Sequence, residues 1–365
     1  MAPELEATPA LPFDLAAPYG LRMTEKRLLL LSTLNSLTEW HTTRCVPYAR
    51  VRERMFAPGP AASIEGVPYL PVRLFKTHDL ASVPREQVVR TMASSGTTSD
   101  AVSRIHLDRE TAMRQSRVLA AIMATFIGRQ RLPMAIIDNG DALKDRSRFN
   151  ARSAAILGFS VLGRDHFHAL DASMQLDAEG LQSFLDAHAD EPVLVFGFTF
   201  LVWQALVRPL ARDARQWRFP PGSTLVHGGG WKRLAEQSVG NDAFKQAVRE
   251  STGIERVFNY YGMVEQVGSI FMECEHGHLH APVFADVVVR DPLTLAPLQA
   301  GHEGVLQVLS ALPLSYPGHS LLTEDLGRLH GEDDCPCGRA GRHFSVAGRM
   351  PQAELRGCSD TRPLP

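Results

Sequence analysis

Between Asp108 and Gly262 the chain alternates apolar, strand-like runs with amphipathic, helix-like runs, and few architectures accept that alternation. Residues 134–138, 193–198, 224–227 and 256–260 read as strands. Residues 109–127, 180–187, 200–211 and 243–251 read as helices, the first capped by Asp108. The run 193–198 has no polar side chain, as a strand covered on both faces requires. The expectation is an α/β unit with a mostly parallel sheet flanked by helices. From Gly268 onward the pattern changes to strands at 269–272, 284–290 and 305–309, which predicts a small β-rich subdomain. Ahead of the alternation, residues 1–20 read as a loose Pro- and Ala-rich arm. Residues 25–44 read as a helix capped by Thr24, with Leu30, Leu34 and Leu37 on one face. Residues 67–76 are interrupted by proline and read as extended. The expected division is the arm at 1–20, one domain at 21–345 (α/β to about residue 267, β-rich beyond), and a hinge and tail at 346–365.

Bulk properties narrow the function classes. At 365 residues the chain can bury a large core, and a formal net charge of −2 supplies no basic field for nucleic acid. The acidic N-terminus lacks the layout of a signal peptide, and no apolar run approaches a membrane span. Five cysteines, an odd number, fit a reducing compartment better than a disulfide framework, so the expected location is cytoplasmic.

Four stretches carry chemistry. Ser94, Ser95, Gly96, Thr97 and Thr98 form a hydroxyl-rich loop between strand-like runs at 88–90 and 102–107. Its amides and hydroxyls can converge on an anion, although such a loop taken alone is more often a solvated turn. No Walker Gly-Lys-Ser/Thr is present. The other three follow expected strands, where ligands bind in open α/β sheets. His227-Gly228-Gly229-Gly230-Trp231-Lys232 permits close backbone approach beside an aromatic ring. Asn259-Tyr260-Tyr261-Gly262-Met263-Val264-Glu265 places a carboxylate after an aromatic–glycine turn. Leu322-Thr323-Glu324-Asp325-Leu326-Gly327 places one where it can accept both hydroxyls of a ribose. Each has a plainer reading: a sharp strand exit at the glycines, a helix cap at Glu265, a turn at Asp325. Their order along one chain argues against coincidence.

Together these stretches resemble the motif series of the adenylate-forming (acyl-AMP-forming) superfamily, and within it the LuxE-type acyl-protein synthetases, which are related to phenylacetate–CoA ligases. Cys335-Pro336-Cys337-Gly338-Arg339 and Glu354-Leu355-Arg356-Gly357-Cys358-Ser359-Asp360 add to the match, which runs from about Phe13 to the end. The resemblance implies the large-domain fold of that superfamily with its C-terminal domain truncated, because 16 residues follow Arg349. It implies that Ser94, Ser95, Gly96, Thr97 and Thr98 grip the ATP phosphates. Gly228, Gly229, Gly230, Tyr260, Tyr261 and Gly262 would frame the adenine, Glu265 would hold Mg2+, and Asp325 with Arg349 would hold the ribose. Cys358 would take the acyl group, with Arg356 lowering its thiol pKa, and pass it to a partner reductase.

Two departures stand out. Ser99 and Asp100 follow Thr98 where the family continues with glycine, and the catalytic lysine of the C-terminal domain is missing, leaving Lys232 or Lys144 as substitutes. Cys274, Cys335 and Cys337 with an imidazole offer a structural Zn2+ site. His280 is preferred over His276 and His278 because related CoA ligases use the same Cys-x5-His spacing; the alternative is reduced, unligated thiols. Cys45 reads as core. The expected function is ATP-dependent activation of a carboxylic, expectedly fatty, acid followed by transfer to Cys358 and a partner protein. The alternatives are transfer to coenzyme A or another carrier, and a nucleotide-binding subunit without catalysis.

Overall fold

The computed structural model describes residues 8–94, 102–140, 151–231 and 239–350. Ser95, Gly96, Thr97, Thr98, Lys144, Lys232 and Cys358 lie outside the described residues.

The apolar runs become a parallel sheet. β4 (Leu132–Ile137), β5 (Gly163–His168), β6 (Leu194–Phe198), β7 (Thr224–Gly228) and β8 (Arg256–Tyr261) lie side by side in the order β5-β4-β6-β7-β8, every pair parallel. All five residues of β6 are buried, as its composition requires. The helices Arg109–Ile127, Ala151–Ser160, Ala178–Ala187 and Asn241–Thr252 alternate with these strands. Asp108 caps the first of them by accepting from the Thr111 amide at 2.8 Å.

Beyond β8 the sheet continues antiparallel through β9 (Phe271–Glu273), β10 (Leu279–His280), β14 (Arg342–Arg349), β13 (Ser320–Glu332), β12 (Glu303–Ser310) and β11 (Ala285–Arg290). A two-residue strand, β1 (Leu70–Pro71), pairs in parallel with β13. The β-rich segment is thus joined to the parallel sheet through β8 and β9 rather than standing apart. A separate antiparallel pair, β2 (Val88–Ala93) with β3 (Arg104–Asp108), flanks the hydroxyl-rich stretch in sequence.

Several local expectations change. The first helix runs Met23–Arg44 with Arg22 at its N-cap and no side-chain cap bond, so Thr24 is not the cap but lies in the first turn. Leu30, Leu34 and Leu37 are fully buried, and each contributes about 1.5–3 kcal/mol of burial. Within residues 67–76 the strand is β1, and Leu74–Thr77 forms a helical turn. The helix after β6 is not regular: Val202–Val207 is wound as a π-helix, with the Arg208 amide bonding the Trp203 carbonyl.

Candidate active site and a cysteine–histidine cluster

The candidate site starts at the carboxyl ends of β7 and β8. Gly228 ends β7 with the Tyr260 ring where its Cβ would stand, at 2.6 Å, so any larger residue would displace that ring. Gly229 and Gly230 follow at φ +83° and +56°, turning the chain in a region that side chains rarely adopt. Tyr260 and Tyr261 then point to opposite faces, as neighbours on a strand must. Tyr260 packs into the core aromatic layer, 5.1 Å from Phe159 between ring centroids. Tyr261 turns the other way, and its hydroxyl donates to Asp325 Oδ2 at 2.6 Å.

Asp325 sits on β13 directly opposite Arg349 on β14, whose Nε lies 3.5 Å from Asp325 Oδ1. The Asp325 amide donates to Thr323 Oγ1 at 3.1 Å, which fixes the turn of the backbone there. Burial raises the Asp325 carboxyl above the ordinary range, while the Tyr261 hydroxyl and the Arg349 guanidinium pull it back. Burial, reinforced by Asp325, keeps Tyr261 a neutral donor.

Glu265 is buried in a short turn, Val264–Gln266, just past the tyrosine corner. Burial raises its carboxyl pKa, opposed by the Ser103 hydroxyl and the charges of Lys76 and Arg349. Ser103 in turn exchanges hydrogen bonds with Ser94: Ser94 N donates to Ser103 O at 3.0 Å, and Ser103 N donates to Ser94 Oγ at 2.9 Å. The base of the hydroxyl-rich loop, the tyrosine corner, Glu265 and Asp325 are therefore neighbours, with the Arg349 charge reaching Tyr261, Glu265 and Asp325 alike.

The loop before β13 closes against the Glu265 backbone. A Cβ on Gly318 would stand 2.7 Å from the Glu265 carbonyl oxygen and 2.2 Å from the Tyr316 ring. Gln266 Nε2 donates to the carbonyls of Val308 and Gly318 at 3.0 and 2.8 Å. Ser315 Oγ donates to the His106 carbonyl on β3 at 2.7 Å, tying the hairpin to the same loop.

One ion pair near the strand ends involves residues that the motifs did not point to. Asp138, just past β4, holds a buried ion pair with Arg152, Nε to Oδ2 at 2.5 Å. The one sequence signal for it is a carboxylate at the end of an apolar run. His227 donates or accepts through Nδ1 to Thr199 Oγ1 at 2.9 Å and is held neutral, its pKa lowered to about 3 by burial and then by Lys245. Trp231 packs edge-on to Trp203 at 5.5 Å. Phe196, Phe198 and Phe200 are buried core residues.

Away from the cleft, Cys274, His280, Cys335 and Cys337 bring their ligand atoms within 4.8 Å of one another. A tetrahedron with Zn–S bonds of about 2.3 Å has edges of about 3.8 Å. Cys274 Sγ and Cys335 Sγ stand 3.8 Å apart, and Cys337 Sγ lies 3.3 Å from His280 Nε2. Burial pushes the Cys335 thiol up to about 12 and the His280 imidazole down to about 3. The donor set and its spacing fit a closed zinc site. His276 stands outside this four-residue set.

The same architecture occurs in a solved enzyme of known fold. 2-Hydroxyisobutyryl-CoA ligase, in an open conformation with 2-HIB-AMP and CoA, matches with a TM-score of 0.71 over 92% of this chain and 77% of that one, at 18% identity. The fold is that of the adenylate-forming enzymes.

Within that class, residues 34–362 match the family model described as "Acyl-protein synthetase, LuxE". The chain belongs to the LuxE acyl-protein synthetase family, and is an enzyme of the ligase class. It is similar to the long-chain-fatty-acid–luciferin-component ligase of Vibrio harveyi, 22% identical over 94% of this chain and 90% of the relative. The Aliivibrio fischeri protein of the same name is 21% identical over 81% and 78%. Among the described residues no helix is long and apolar enough to cross a membrane.

Proposed function

We propose that this chain activates a long-chain fatty acid with ATP and passes the acyl group through Cys358 to a partner protein, a reductase of acyl groups. The observation that supports the reading is the convergence of Tyr261, Asp325 and Arg349 with buried Glu265. Asp325 accepts from the ribose hydroxyls while Tyr261 and Arg349 hold its carboxylate in place. Ser94, Ser95, Gly96, Thr97 and Thr98 bind the phosphates by amides and hydroxyls; Gly228, Gly229, Gly230 and Gly262 leave room for the adenine, and Tyr260 props the first of them from beneath. Glu265 is the protein oxygen that would hold Mg2+, a hard cation that suits one carboxylate plus substrate phosphates. When bound, Mg2+ supplies charge stabilisation at the phosphates.

In the first step a carboxylate oxygen of the acid bonds to the α-phosphorus of ATP and pyrophosphate leaves, giving acyl-AMP. In the second the Cys358 thiolate bonds to the acyl carbon and AMP leaves with its phosphate oxygen. Lys232 is the candidate for the cationic role at the leaving phosphate. The names of the Vibrio harveyi and Aliivibrio fischeri relatives support the fatty acid as substrate class. A reducing, cytoplasmic setting fits as well, because Cys274, Cys335 and Cys337 must remain thiols to serve a structural zinc ion with His280.

The test is mass spectrometry with ATP, Mg2+ and a long-chain fatty acid, alongside ATP–pyrophosphate exchange. Wild type is expected to gain an acyl adduct, and Cys358→Ser to keep exchange while losing the adduct. Exchange with acyl-CoA formed and no protein adduct would move the acceptor to coenzyme A. No exchange with any acid would overturn activation itself.

A further inference from the structure

We propose that the chain holds a second transition-metal ion beside the first, bound by His278, His343 and the Cys335 sulfur that the two sites share. The inference rests on the zinc reading of Cys274, His280, Cys335 and Cys337. The ligand atoms of His278, Cys335 and His343 also lie within 4.8 Å of one another, and His278 Nδ1 is 3.6 Å from Cys335 Sγ.

The stronger observation is at His343. Its Nε2 is hydrogen-bonded to Asp334 Oδ1 at 2.8 Å, while its Nδ1 is buried with no partner, on a residue that is 5% exposed. A carboxylate on one ring nitrogen with the other left as a bare donor is how metal-binding imidazoles are commonly oriented. A neutral histidine serving only as core would instead leave a desolvated nitrogen uncompensated.

Histidines crowd this face. The His278 ring lies 4.8 Å from both His343 and His330, and His343 lies 5.6 Å from His280. A thiolate sulfur has lone pairs for two metals, so Cys335 can bridge. The charges also close: two divalent ions offset three thiolates and the Asp334 carboxylate behind His343. Two imidazoles and a thiolate select zinc-like ions over Mg2+ or Ca2+. Three protein ligands leave one position for water, on the side where His278 is half-buried and His330 exposed. The second ion should therefore exchange more readily than the first.

The experiment is metal analysis of the full chain after saturation with Zn2+ and gel filtration, repeated with Co2+. Wild type is expected to retain two ions per chain, and His278→Ala and His343→Ala one each. Partial chelation is expected to remove one ion before the other, and a dicobalt form to show magnetic coupling through the shared sulfur. Should His343→Ala fail to fold, His278→Ala, at a half-buried position, carries the test alone. One ion in saturated wild type would overturn the second site and leave the first standing. No ion would overturn both, and two ions retained by His278→Ala and His343→Ala would place the second ion elsewhere.

Discussion

Removing the Tyr261 hydroxyl is the sharpest probe of the cleft. Tyr261→Phe deletes one donor, leaves the ring, and takes away a 2.6 Å bond to a carboxylate. Hydrogen bonds to charged groups contribute about 1.5–3 kcal/mol. Asp325 would keep the 3.5 Å contact to Arg349, a longer and weaker hold. Burial already raises the Asp325 pKa, and Tyr261 is the largest influence pulling it back. In the variant the carboxyl therefore protonates at higher pH, and the acidic limb of ATP binding moves upward.

If the whole loss fell on nucleotide binding, the KM for ATP would rise about 10- to 150-fold. Part of it will show instead as lower thermal stability. Exchange kinetics and calorimetric unfolding, read together, should recover the sum. Because the two side chains act as a unit, Tyr261→Phe with Asp325→Asn should cost little more than Asp325→Asn alone. Additive losses, or unchanged ATP affinity in Asp325→Asn, would refute the reasoning.

Glu265→Gln should abolish Mg2+-dependent exchange and yet raise the melting temperature of the nucleotide-free protein at neutral pH. The folded-state pKa of Glu265 is raised, so the unfolded chain releases the proton first, and stability falls as pH rises from the ordinary carboxylate range toward the folded value. The wild-type deficit relative to Glu265→Gln should accordingly shrink in acid, which a pH series of melts measures. Gly318→Ala should destabilise by about 1–3 kcal/mol, because its methyl group meets the Tyr316 ring and the Glu265 carbonyl; denaturant unfolding reads it. Stripping metal with a chelator should lower the melting temperature, and Cys274→Ser should mimic the loss in untreated protein.

The large pattern of the fold was legible because it rests on runs of one character. The apolar stretch of β6 can only be a covered strand, and Asp108 before a helical period can hardly be anything but a cap. Asp325 and Glu265 were legible as carboxylates after strand-like turns. What escaped was set by partners far away in sequence. β13 and β14 carry charges and glycines along their length, so no alternation marks them, yet they pair over Asp325 to Arg342. Thr24 has the chemistry of a cap, but the chain enters the helix two residues earlier. The different fates of Tyr260 and Tyr261 depend on which face of β8 meets Phe159 and which meets β13, and adjacent identical letters cannot say. Likewise, Ser103 and Gly318 become meaningful only once the hairpin and the loop before β13 close on Glu265.

One strand has a mechanical side. From His343 beside the thiols to Arg349 opposite Asp325, β14 spans six residue steps, roughly 20 Å at 3.3 Å each. At its first end it is clamped by β10, where His343 faces His280. Loosening that anchorage should be felt at the far end, where Arg349 lies opposite Asp325. The cysteine cluster and Asp325 are thus joined along a single length of backbone.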